Sequence, residues 1–196
     1  MKKYLTPLFL AGFFFFSGLV LSQEQVKIDL QVPDKIDQEI CPAPIWKNLT
    51  VSWDGVQDKR AEPEIGDQVH KKKEPISVLS RTPLSQVFNQ ALKDLFQKCG
   101  MKLVTDGSAP LHLSAQIREF HAGVKRSFLT GKSDAKSLIA FETRQRAEPG
   151  QTIEVGYEME SKRVSQGDIK QLQKALNELF GKTLQTITTT ESLHSI

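Results

Sequence analysis

The sequence predicts an α+β fold: a two-layer sandwich with two amphipathic helices on one face of a mostly antiparallel sheet. Two segments, one starting at Leu84 and one near Asp168, repeat apolar residues at three- and four-residue steps, the period of a helix with one buried stripe. Several others alternate apolar and polar residues with the period of two that marks a half-buried strand. The order is strand, strand, long loop, helix, strand, three more strands and a closing helix. Elements with one apolar face each, in that order, bury it by stacking helices on a sheet.

The chain opens with an export signal. Lys2 and Lys3 give a positive start, and Leu8 to Leu21 an apolar run of about 14 residues, within the usual ~7–15. A membrane-spanning helix wants ~20 apolar residues. Val20-Leu21-Ser22 offers small-to-moderate residues for cleavage after Ser22. The expectation is a released, periplasmic protein; the alternative is an uncleaved N-terminal segment that anchors it to the membrane. A lipid anchor needs a cysteine directly after the apolar run. That region reads LVLSQEQ, and the first cysteine is Cys41.

The expected organisation is 1–22 signal peptide, 23–46 N-terminal strand and proline-containing linker, 47–190 a single α+β domain, and 191–196 a frayed tail. The 174 residues after the signal suffice for one well-buried core. Net charge is +3, from 26 basic and 23 acidic residues, and loss of Lys2 and Lys3 leaves +1. Such a balance gives no case for nucleic-acid binding.

In VKIDLQV, Val26, Ile28, Leu30 and Val32 alternate as a first strand, followed by a proline-containing connection to Asn48. Leu49, Val51 and Trp53 mark a second. The polar stretch from Asp54 to Thr82 reads as a long loop with one short strand at Ile76 to Leu79. At Thr82-Pro83 an N-cap followed by proline begins the first helix, and its stripe is Leu84, Val87, Phe88, Ala91, Leu92, Leu95 and Phe96. Gly100 stops it with a left-handed residue. MKLVTD and LHLSAQIREF are strands. KSLIAFETRQR and TIEVGYEMESKRV, joined at Glu148-Pro149-Gly150, form a hairpin. The closing helix carries Ile169, Leu172, Leu176, Leu179, Phe180, Thr183, Leu184 and Ile187.

Catalytic and metal-binding sets are absent from the pattern. His112 and His121 are nine residues apart on one strand, so strict alternation sends them to opposite faces, unable to share a metal. There is no G-x-S-x-G elbow, no P-loop and no G-x-G-x-x-G, hence no cofactor is expected. Glu158 and Glu160 share a strand face, best read as solvated. HKKKE, His70 to Glu74, supports at most weak contact with anionic lipid. Asn48-Leu49-Thr50 fits a glycosylation sequon, discounted because the export signal is of bacterial type. Cys41 and Cys99 form either a disulfide, as an even pair in an oxidising compartment would, or two unrelated buried thiols.

One stretch resembles a known family. LTVSWDGVQDKRAEPEIGDQV joins a strand to Asp58-x-Arg60 and then Ile65-Gly66, and is followed by the helix ending in KCGMKLV, the strand LHLSAQIREF, a hairpin and a final helix. This is similar to the YajG family of bacterial envelope lipoproteins and, more loosely, to auxiliary lipoproteins of envelope ABC transporters, over Lys47 to Ile187. The resemblance implies an envelope location and an α+β domain. It singles out Asp58, Arg60 and Gly66 as candidate interaction residues; the bland alternative is a local turn pair and a tight turn that needs positive φ at Gly66. The chain departs from the family where the lipid-bearing cysteine would stand, near Ser22-Gln23.

The expected function is that of a non-enzymatic envelope protein acting on an unidentified envelope protein partner, with the exposed sheet face and the Asp54–Thr82 loop as contact surfaces. The rival is a binding module for a lipid or other small apolar ligand, held in a cavity lined by Phe88, Leu92, Leu95, Phe96, Leu179 and Phe180.

Overall fold

The computed structural model describes residues 25–34, 40–41, 44–70, 75–126, 131–145, 148–164 and 169–196. The export signal with its cleavage site at Ser22, Lys71 to Glu74 and Asp168 lie outside the described residues. In chain order the elements are β1 (Gln25–Ile28), β2 (Thr50–Asp58), β3 (Gly66–His70), β4 (Ile76–Ser80), α1 (Leu84–Lys98), β5 (Lys102–Val104), β6 (Leu111–Arg126), β7 (Gly131–Gln145), β8 (Glu148–Val164), α2 (Ile169–Thr189) and α3 (Glu191–His194).

All the strands join one sheet, and it is mixed rather than mostly antiparallel. Of the seven pairings among the described residues, four are parallel: β1 with β4, β2 with β5, β2 with β6, and β3 with β6. Only β3–β4, β6–β7 and β7–β8 run antiparallel. Alternation in a sequence fixes which side chains face inward but not the direction of a neighbouring strand, which is how the antiparallel expectation failed.

The sheet forks along β6. One edge of β6 pairs with β7 along its whole length. The other edge pairs with β2 from Leu111 to Ile117 and with β3 from Ala122 to Arg126. A register shift between Ile117 and Glu119 sets Arg118 out as a bulge. Burial changes parity there: Leu111, Leu113, Ala115 and Ile117 face the core before it, and Phe120, Ala122 and Val124 after it.

The helices form because their apolar stripes match the inner face of this sheet. Phe88 of α1 meets Phe180 of α2 edge-on at 4.9 Å between ring centres, and Phe120 of β6 at 5.3 Å. Phe96 stands against Trp53 at 5.5 Å and Phe141 at 6.2 Å. Ser137 of β7 and Thr183 of α2 satisfy each other in the core, Oγ to Oγ1 at 2.6 Å, while Thr183 donates to the Leu179 carbonyl at 2.7 Å.

The start of α1 is one residue later than the sequence pattern places it. Pro83, with φ −49° and ψ 131°, is the capping residue, and no side chain caps the helix. Its carbonyl accepts from Gln86 and Val87 at 2.9 and 3.1 Å. Gly100 ends α1 at φ +93°, as its type predicts.

The first and last described segments both pack onto the domain. The described residues ahead of β2 belong to the domain: β1 pairs with β4, and Ile28, Ile40 and Trp46 are buried. Cys41 is disulfide-bonded to Cys99 just past α1, with Cα atoms 5.6 Å apart, which decides between the two readings of that pair. The residues read as a frayed tail contain α3, whose Leu193 is buried and whose carbonyl accepts from Trp46 Nε1 at 2.9 Å.

Candidate interaction surface

The three candidate residues converge on the fork in the sheet. Arg60 leaves the end of β2 and turns its guanidinium back onto Asp58, Nε to Oδ1 at 2.9 Å and Nη2 to Oδ2 at 2.8 Å. Its side chain is only 8% exposed. The remaining donors reach carbonyls of Glu64 at 2.9 Å, Phe120 at 3.3 Å and Pro63 at 3.4 Å. Phe120 lies on β6 between the stretch paired with β2 and the stretch paired with β3, so Arg60 fills the gap where β6 changes partner. Lys59 N donates to Ile117 O at 2.9 Å on one side of that gap, and Ala122 N to Ile65 O at 3.0 Å on the other.

Gly66 opens β3 directly opposite Ala122. It has no positive φ, contrary to the tight-turn reading. Its need for glycine is close approach: a Cβ would lie 2.7 Å from the Ala122 carbonyl oxygen and 3.3 Å from Leu172 of α2. Asp58, Arg60 and Gly66 thus form one unit that shapes the 59–65 loop. Asp58 is the member that faces solvent, its side chain 31% exposed.

Beyond the fork, the solvent face of the sheet carries side chains paired across strands. His112 Nδ1 meets Asp54 Oδ1 at 3.4 Å, and Asp54 Oδ2 lies 3.8 Å from Arg144 Nη2. Gln116 Nε2 donates to Glu142 Oε1 at 2.7 Å, and Arg118 Nη2 to Gln116 Oε1 at 3.2 Å. Lys136 Nζ joins Glu119 at 2.8 Å and Glu158 at 3.2 Å. The hydrogen bond with Glu119, then that with Glu158, raises the Lys136 ammonium above its ordinary value.

His121 Nε2 stands 3.1 Å from Asp67 Oδ1 on this same face. The expectation that His112 and His121 point to opposite faces is corrected by the Arg118 bulge, which inserts one residue and restores their parity. Each has its own carboxylate on a different strand, Asp54 of β2 or Asp67 of β3. Among the described residues no group of three or more His, Cys, Asp or Glu is placed to hold a metal. Glu158 and Glu160 do share the exposed side of β8.

The six side chains of the lipid-cavity reading are buried against one another and the sheet. Space for a ligand lies elsewhere: a groove of about 780 Å³ runs between Gln31–Asp34 and α2, with Lys170, Lys174, Asn177 and Lys182 on its wall. Asn177 Oδ1 accepts from Gln31 N at 3.0 Å, tying the segment after β1 to the helix. No helix among the described residues is long and apolar enough to cross a membrane.

A family model described as "Uncharacterized lipoprotein" matches residues 43–196. None of the curated proteins matches the chain by sequence. Among solved structures, a Xanthomonas campestris protein of family DUF330 superposes with a TM-score of 0.53 at 11% identity, over 87% of this chain and 95% of that one. An uncharacterized protein aligns at 14% identity and TM-score 0.49, over 85% and 97%. A Helicobacter pylori homolog of a neuraminyllactose-binding hemagglutinin aligns at 13% and 0.42, over 87% and 95%. The first of these shares the fold.

Proposed function

The chain belongs to the uncharacterized-lipoprotein family, and from that premise we propose that it is an exported, non-enzymatic protein of the cell envelope that acts by contact with another envelope protein. Family membership implies an envelope-associated location. The finer reading is a periplasmic chain released after Ser22, serving as an auxiliary component of an envelope transport or assembly system. That part rests on the resemblance to YajG and to auxiliary lipoproteins of ABC transporters.

The observation that carries the proposal is the solvent face of the sheet with its outermost strand. The face is broad, polar and ordered by cross-strand pairs, and β8 borders it with an edge that no strand among the described residues covers. Asp58, Arg60 and Gly66 contribute by fixing the 59–65 loop in the gap between β2 and β3 along β6, where Asp58 is partly open to solvent. Preformed polar surfaces of this kind suit recognition, since little ordering remains to be done on binding.

A second reading places a lipid in the groove between Gln31–Asp34 and α2, where Lys170, Lys174 and Lys182 suit an anionic headgroup. Sedimentation of the protein in gently solubilised envelope of its native host, with native mass spectrometry of the purified chain, separates the two. A discrete complex well above the mass of the monomer supports protein contact. A free monomer that carries added lipid mass would replace it with the ligand reading.

A further inference from the structure

The strand β8 is 17 residues long and, among the described residues, pairs on one side only, with β7. Strands in globular proteins run to about 5–6 residues, and exposed edges are usually shorter still, because unpaired N–H and C=O groups recruit other chains. Among the described residues no strand pairs with the far side of this edge.

Its two rows of side chains differ in character. The solvent-facing row has Glu154, Glu158 and Glu160, all exposed. Lys136 answers Glu158 at 3.2 Å, whereas Glu154 and Glu160 meet no cation among the described residues. In the core-facing row Val155 is buried, but Ile153, Tyr157 and Met159 are only half-covered, though packed against the core. An added strand would finish covering those three and bring its other face against the carboxylates.

We propose that β8 takes up, by strand addition, an extended segment of a partner protein in which apolar residues alternate with Lys or Arg. Main-chain bonds to the free edge supply affinity, and the two rows supply selection. The apolar set lies over Ile153, Tyr157 and Met159, and the basic set faces Glu154, Glu158 and Glu160. A second copy of this chain is a poor occupant, because β8 against β8 sets one acidic row beside another, and facing like charges are destabilising. The inference rests on the protein-contact reading and names the chemistry of that partner.

The test uses the full chain and a 12-residue synthetic peptide alternating valine or threonine with lysine; a control peptide carries glutamate in place of lysine. Amide hydrogen exchange is followed over residues 151–160. The basic peptide slows exchange there by about tenfold when present at about ten times its Kd, the acidic peptide does not, and added salt weakens the effect. The variant E154Q/E158Q/E160Q, changed only at exposed positions, loses most of the protection. Absence of slowing, or equal slowing by both peptides, would overturn the proposal, as would protection that rises with protein concentration alone and so reports self-association. If β8 stays bare while the chain still sediments in a larger envelope complex, the edge assignment fails and the contact reading survives.

Discussion

Arg60 and Asp58 lock together in a two-point ion pair, with Nε–Oδ1 at 2.9 Å and Nη2–Oδ2 at 2.8 Å, at the place where β6 passes from one partner strand to another. A planar fork is needed, because the same guanidinium also serves the carbonyls of Glu64 and Phe120. Arg60→Ala takes the guanidinium from these carbonyls and leaves the carboxylate only the main-chain N–H of residue 60, 3.2 Å from Oδ1, and is expected to cost about 3 kcal/mol. Arg60→Lys retains the charge but not the fork, and should recover about half of that loss. Urea unfolding checks both through the shift in midpoint at constant slope. Equal stability of the alanine variant and the parent would remove Arg60 from this structural role.

Two glycines on the sheet give opposite expectations. At Gly66 a Cβ would sit 2.7 Å from a backbone oxygen of β6, so Gly66→Ala must push β3 away and should cost about 2 kcal/mol. At Gly156 the nearest atoms, Leu138 Cδ1 and Ser137 O, are both 3.5 Å away. There alanine fits, and loss of unfolded-state freedom should make Gly156→Ala neutral or stabilising by about 0.5 kcal/mol. Thermal unfolding of the pair should separate them in that order; the reverse order would contradict the close contact between β3 and β6.

The Cys41–Cys99 bond closes a separation of 58 residues between the segment after β1 and the end of α1. On the chain-entropy account, a loop of that size contributes about 4 kcal/mol. Cys41→Ser with Cys99→Ser should therefore lower the urea midpoint substantially, and reduction of the parent should lower it by a similar amount. The main-chain bonds from Ile45 and Trp46 to the Cys99 carbonyl, at 2.9 and 3.0 Å, keep the same corner docked in the folded state.

Lys136 sets a pH dependence at the alkaline end. Its ammonium is raised above 10.5 by Glu119 and Glu158. A raised folded-state value means the stabilisation is fully present below pH 10.5 and fades as pH climbs through the folded value. Lys136→Gln should make the alkaline limb of a Tm-against-pH curve shallower, and added salt should shrink the difference because the group is exposed. Superimposable alkaline limbs in the two proteins would show that the Lys136 pairs contribute nothing.

Both long helices were legible, since an apolar stripe repeating every three to four residues lines one side of a helix and would scatter over both faces of a strand. The β7–β8 hairpin was legible too, although its strands are longer than the apolar alternation alone indicates and Glu148-Pro149-Gly150, expected as its turn, opens β8. Three features escaped for physical reasons. In β3, GDQVH offers a single large apolar residue, Val69, and that one is exposed; the buried anchor, Ile65, precedes the strand. The Arg118 bulge changes the parity of β6 without a glycine or proline to announce it, and so misplaces His121 relative to His112. The fork requires knowing that β2 and β3 share one edge of β6, and no local pattern encodes that partnership. Asp58-x-Arg60 stood out as a motif, yet its spacing could not show that Arg60 also reaches Phe120 some sixty residues on.

Site-specific photo-crosslinking in living cells of the native host reaches the partner contact most directly. The crosslinker is placed in turn at Ser114 and Thr152 on the solvent face of the sheet, and at Gln173 on α2 as a control. Contact through the sheet predicts capture of one and the same envelope protein from Ser114 and Thr152 and not from Gln173. Capture from Gln173 alone, or no capture from either sheet position, would contradict it.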